Sequence, residues 1–166
     1  MGELRVDFNE KLEEMEVLEA YTLLPDGSRI DVPPDKIKRQ DGDGREEYSD
    51  GKVLVIIFPK VDVGSQVYYR ARKIQHTPYF PGHFFWYDYY TPHAPTVLAE
   101  VHLVHPAEVK MLVDTEQVEG GVVDKLPDDA PGTVRYRFSF KQATAYPAES
   151  GQSDLSDYAP HLAFTT

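Results

Sequence analysis

The chain opens with Leu4, Val6 and Phe8 alternating with Glu3, Arg5 and Asp7, the period-two pattern of a strand with one covered face. The EKLEEMEVLEAYTLL that follows has the Glu, Leu and Met content of a helix, yet Met15, Val17, Tyr21 and Leu23 also fit one strand face. Pro25-Asp26-Gly27 comes directly after it, and SRIDV resumes the alternation with Ile30 and Val32 on one side. Strand, turn, strand accounts for all three pieces, so a hairpin across 25–27 is predicted. VPPDKI (32–37) and QDGDGREEYSDG (40–51) read as loops. VLVIIF (53–58) is apolar throughout and rich in β-branched residues, as a central strand covered on both faces would be, and Pro59 ends it.

Beyond the turn VDVGS, VYYRARK sets Val67, Tyr69 and Ala71 against Tyr68, Arg70 and Arg72. Val97, Ala99, Val101 and Leu103 alternate with Leu98, Glu100, His102 and Val104, and Val109, Met111 and Val113 follow after His105-Pro106. In GTVRYRFSF, Val134, Tyr136, Phe138 and Phe140 point one way while Arg135, Arg137 and Ser139 point the other. From Ala145 the alternation is lost, and 145–166 reads as an extended tail lying on the domain or leading out of it. Short strands between turn signals, with no long helical pattern, predict an all-β fold. We expect an antiparallel β-sandwich with long loops, built as a single domain over 1–166.

Composition narrows the partners rather than the fold. A chain of 166 residues can bury a sizeable core, and 13 prolines and 11 glycines scattered along it suit many turns. The net charge of −11 repels polyanions, so no nucleic-acid partner is expected. The acids are dispersed, which reads as a solubilising surface. Without cysteine there is no disulfide, thiolate metal site or cysteine nucleophile. No apolar run reaches the ~18 residues of a membrane span. Met1-Gly2 passes straight into polar ELRVDFN, unlike a signal peptide. The expectation is a cytosolic protein or a piece of a longer exported chain.

The densest feature is HTPYFPGHFFWYDYY (76–90), where positions 79–90 hold eight of the chain's twenty aromatic residues and its only tryptophan. Written as a strand, it places Phe84, Trp86, Asp88 and Tyr90 on one face and Phe85, Tyr87 and Tyr89, with His83, on the other. One face should line the core. The Asp88 face carries the only charge and is expected to meet a loop, a neighbouring domain or water. Phe84, Trp86, Asp88 and Tyr90 are therefore the candidate contact residues, for another domain or for a stacked sugar.

No pattern in the chain assembles catalytic chemistry. His102 and His105 point to opposite faces of a strand, and His76, His83 and His93 flank the aromatic stretch without metal-ligand spacing. There is no GxSxG elbow, and the pairs Ser49-Asp50, Ser153-Asp154 and Ser156-Asp157 read as turn chemistry. No carboxylate pair stands out for glycoside hydrolysis. Gly42, Gly44, Gly120 and Gly121 stand apart from any phosphate-loop lysine. A non-catalytic module without metal or cofactor is expected.

AYTLLPDGSRIDV, YSDGKV and FPKVDVGSQVYYR, followed by TPYFPGHFFW, LVHPAEVKMLV, FKQATAYPAE and DYAPHLAFTT, resemble a known family. It is the domain of unknown function that precedes transglutaminase-like, papain-like cores in bacterial exported proteins. The likeness runs from about Val17 to Phe164, and Ser65 stands where the family usually has an acidic residue, for which a change of turn chemistry alone is expected. The resemblance implies a β-sandwich. It also implies a downstream Cys-His-Asp core as partner within the same polypeptide, a periplasmic or exported location, and an accessory role. DYAPHLAFTT resembles the linker to that core, and the start resembles a trimmed one. No catalytic residue of the family falls on this sequence. A glycan-binding or peptidoglycan-binding sandwich is the alternative.

Overall fold

In the computed structural model, the described residues are 2–42, 50–147, 151, 153–154 and 157–166. Most of QDGDGREEYSDG, the Tyr48-Ser49 part of YSDGKV, and Ser156 lie outside them. Among the described residues, twelve strands, all paired antiparallel, form four three-stranded sheets, and there is no α-helix. The strands group into two compact units, Met1–Pro81 and Gly82–Thr166.

In the first unit, β1 (Gly2–Asn9), β5 (Gly51–Phe58) and β4 (Ile37–Asp41) form one sheet with β5 in the middle. The second sheet is β3 (Arg29–Asp31), β2 (Glu13–Leu23) and β6 (Gln66–Gln75), with β2 central. The central position predicted for VLVIIF is met: Val53, Leu54, Val55, Ile56 and Phe58 are all buried. Two clusters join the sheets, Phe8–Met15–Leu54 and Ala20–Val32–Ile56–Phe58. Complete burial of a side chain such as Ile56 contributes about 1.5–3 kcal/mol.

EKLEEMEVLEAYTLL is indeed a strand, but its inward face changes partway. The pairing of β2 with β6 shifts register between Val17 and Glu19, leaving Leu18 unmatched and exposed. After this bulge Ala20 and Thr22 point inward, and Tyr21 and Leu23, expected inside, are only half-buried. Tyr21 stacks on Tyr68 at 4.7 Å, with the Arg29 guanidinium 3.9 Å from its ring centroid.

The hairpin across 25–27 forms as predicted. Gly27 N–H donates to Leu24 O, Leu24 N–H donates to Ser28 O, and the Asp26 carboxylate accepts from both N–H and hydroxyl of Ser28. Ser65, the departure noted in FPKVDVGSQVYYR, accepts the Asp62 N–H on its hydroxyl and so closes the turn itself. VPPDKI was expected as loop. It holds a 3-10 turn, Pro34–Lys36, and then enters the edge strand β4, which shows no alternation because only Ile37 is partly covered.

The second unit repeats the arrangement. One sheet is β10 (Glu119–Val123), β11 (Thr133–Gln142) and β8 (Thr96–Pro106); the other is β7 (Phe85–Tyr89), β12 (His161–Thr165) and β9 (Leu112–Glu116). Phe138 of β11 meets Leu162 and Phe164 of β12, and Trp86, Val101, Leu103, Met111, Val118 and Tyr136 pack around them. The tail expected over 145–166 therefore ends in a central strand. Leu162 and Phe164 are 0% and 2% exposed, so the segment supplies core rather than leading away from it.

A partly buried ion pair fastens the loop before β11. Arg135 Nε donates to Asp129 Oδ2 at 2.6 Å, its Nη2 donates to Oδ1, and Leu126 N–H also donates to Oδ2. These bonds, Arg135 first, hold the Asp129 carboxyl at about 2, below its ordinary 3.8. A folded value below the unfolded one means that this stabilisation is complete above about pH 4 and is lost as pH falls toward 2. Asp129→Asn should lower the thermal midpoint near pH 7 and flatten its fall between pH 4 and 2, as seen by circular dichroism at matched ionic strength. Equal pH slopes in the two proteins would remove Asp129 from the account.

Candidate functional site

The register of β12 decides which face of the aromatic strand is covered. Trp86 sits opposite Phe164 and Asp88 opposite Leu162, so their face is the core side. Trp86 stacks on Phe164 with centroids 5.4 Å apart, and Tyr90 stacks on Phe140 at 4.7 Å. The two faces thus exchange the roles expected of them. Of the four candidate contact residues, Trp86 and Tyr90 are half-buried among core rings, while Phe84 and Asp88 keep solvent access. Neighbouring protein still strips water from Asp88, raising its carboxyl above the ordinary range against the Tyr89 backbone N–H that favours its charge. Burial, and then the Asp88 charge, raise the Tyr90 hydroxyl too.

The outward face belongs to Phe85, Tyr87 and Tyr89, which are 59%, 55% and 41% exposed. Their rings touch in series, Phe85 to Tyr87 at 5.4 Å and Tyr87 to Tyr89 at 5.5 Å, tilted by 36° and 66°. Rings tilted in this way support one another as a ridge and do not lie flat as one stacking plane. Beside this ridge, β12 contributes His161, Ala163 and Thr165, and β9 contributes Leu112, Asp114 and Glu116 in the same cross-strand rows. The face therefore runs from aromatic, over small residues, to acidic. His161 links the sides, its ring 5.6 Å from Tyr89 and its Nε2 3.4 Å from Asp114 Oδ2.

At the Tyr89–His161–Glu116 end of this sheet lies a cavity of about 370 Å³, lined by Pro92, His93, Gln117, Gln142, Tyr146, Pro147, Tyr158 and Pro160. His93 organises it: Nδ1 donates to Tyr146 O at 2.9 Å, and Nε2 faces the Tyr158 hydroxyl at 3.4 Å. Gln142 Nε2 donates to Pro92 O and Ala94 O. Gln117 stands in the left-handed region, φ 56°, in the turn after β9. The prolines and tyrosines were visible in the sequence, but their convergence depends on pairings across the whole unit.

His76 Nδ1 meets Thr77 Oγ1, His83 Nδ1 meets Thr166 O, and His105 is buried while His102 is exposed on the other face, as strand spacing predicted. Among the described residues no three His, Asp or Glu side chains gather to hold a metal.

Fold and surface together define a β-rich module with an exposed aromatic sheet face and a neutral cavity at its end. The sequence matches DUF3857, a domain of unknown function with solved structure, over residues 1–147, and the chain belongs to that family. No curated protein matches it. A similar fold occurs in the crystal structure of a putative protease from Parabacteroides distasonis ATCC 8503, with TM-score 0.84 and 16% identity. The likeness covers 99% of this chain and 32% of that one, so the chain spans about a third of that protein's length.

Proposed function

We propose that this chain is a non-catalytic accessory module of a bacterial exported protein, packing on or presenting a downstream transglutaminase-like core. The observation that carries this reading is the outward face of β7–β12–β9, where Phe85, Tyr87 and Tyr89 stay exposed side by side. Exposed rings in one contiguous row are the composition of an interface centre, and an acidic margin at Asp114 and Glu116 gives it a polar rim. The remaining two-thirds of the similar solved chain is a natural occupant for such a face. The tilted ridge favours this over flat stacking of a sugar.

The test uses the full polypeptide carrying Phe85→Ser and Tyr87→Ser. Because both rings are more than half exposed, residues 1–166 alone should keep their thermal midpoint. In the full polypeptide the downstream core should become cleavable by a trace protease at least about tenfold faster. If deleting residues 1–166 leaves the stability and solubility of the core unchanged, the reading is wrong.

A further inference from the structure

We propose that the cavity formed by Pro92, His93, Gln117, Tyr146, Tyr158 and Pro160 is a binding site for a proline-containing peptide segment in the polyproline II conformation. The site is separate from the aromatic sheet face, and its existence does not depend on how that face is used.

Charge narrows the ligand first. Among the described residues the lining holds no Asp, Glu, Lys or Arg, in a chain of net charge −11. An anionic or cationic ligand would find no counter-charge inside, so selection there rests on shape and on neutral hydrogen bonds. Few polar groups of the lining remain for a ligand. His93 has both ring nitrogens turned to protein partners, and the Gln142 amide nitrogen already serves two carbonyls. That leaves mainly the Gln117 amide and the Tyr146 hydroxyl, with the Tyr146 ring 63% exposed at the mouth. A saccharide carries several hydroxyls on every ring and would leave most of them unmatched here. A polyproline II segment has no internal hydrogen bonds, presents carbonyls as its only strong polar groups, and packs its pyrrolidine rings between aromatic walls. Sparse donors among proline and tyrosine rings match that ligand.

Glu116 precedes Gln117 and Asp157 precedes Tyr158, both exposed. They add negative potential beside the cavity, favouring basic over acidic residues next to the proline segment.

The experiment titrates the isotopically labelled 166-residue chain with two hexaproline peptides, one flanked by lysines and one by glutamates, following backbone amides by NMR. A hexamer of N-acetylglucosamine is run in parallel. We expect saturable shifts centred on His93, Gln117, Gln142 and Tyr158, tighter for the lysine-flanked peptide. Tyr146→Ala should weaken binding about tenfold without moving the thermal midpoint, since that ring is exposed. Phe85→Ala should leave binding unchanged. The proposal is overturned if neither peptide shifts these amides at millimolar concentration, if the saccharide shifts them and the peptides do not, or if Tyr146→Ala binds as the parent does.

Discussion

Phe164→Ala is expected to destabilise the second unit by about 3–5 kcal/mol, the range for removing a fully buried phenylalanine from a core that only partly collapses. Phe164 is 2% exposed, lies 5.4 Å from the Trp86 ring and 5.7 Å from that of Phe138, and belongs to the middle strand of its sheet. Its loss therefore opens a cavity between the two layers and removes the partner of the sole tryptophan. Denaturant unfolding followed by Trp86 fluorescence should show a much lower midpoint, with the folded variant's emission already shifted to the red relative to the parent. The comparison is Phe85→Ala, one position along the same aromatic strand, which should cost less than about 1 kcal/mol because its side chain is already mostly in water. A similar midpoint for the two variants would mean that β12 is not a core strand and that 161–165 is the peripheral segment its sequence context suggests.

That contrast also shows which parts of the fold the sequence carries locally. Alternation in β1, in β8 from Ala99 onward and in β11, and the unbroken apolar run of β5, translate directly into covered and open faces, because each depends only on strand periodicity. The alternation of β12 is present too, in Leu162 and Phe164, but five residues after a stretch rich in Ser, Pro and Asp are too short to stand out. The bulge at 17–19 leaves no composition signal, since Leu18 and Glu19 would fit an unbroken strand equally well; only the pairing with β6 reveals it. β4 was invisible for another reason: an edge strand with one partly covered residue has no need of alternation.

The candidate site was less legible still. That 84–90 would be aromatic on both sides could be read from the letters alone. Which side meets the core is decided by Phe164 and Leu162, far along the chain, and charge pointed the wrong way. Asp88 was expected to mark the solvent side, yet it sits opposite Leu162 and tolerates the core side by keeping water access at a raised pKa. A single charge near a sheet margin is a weak guide to orientation for that reason. The cavity required His93 to meet Tyr146 and Tyr158, contacts set by tertiary closure and carrying no spacing motif.

Gly120→Ala should be the most damaging small substitution in the second unit. β10 lies along β11 with Gly120 opposite Phe138, and Gly120 takes φ 147°, in the region that L side chains rarely adopt. A Cβ there would come within 2.2 Å of Arg137 O and 2.7 Å of Phe138 Cα, both backbone atoms of the strand that carries the core. Backbone has no rotamer by which to retreat, so β10 must either leave the sheet or push β11 off Leu162 and Phe164. Strain at the dihedral and overpacking contribute about 1–3 kcal/mol each, enough together to approach the whole stability of a small unit. Gly121 separates the two causes. Its φ is 155°, but nothing lies within 4 Å of its missing Cβ, so Gly121→Ala carries the dihedral cost alone. The expected order of unfolding midpoints, read from Trp86 fluorescence, is parent above Gly121→Ala above Gly120→Ala. If the two alanine variants unfold together, the close approach of β10 to β11 contributes nothing, and the packing assigned to this edge of the sheet is wrong.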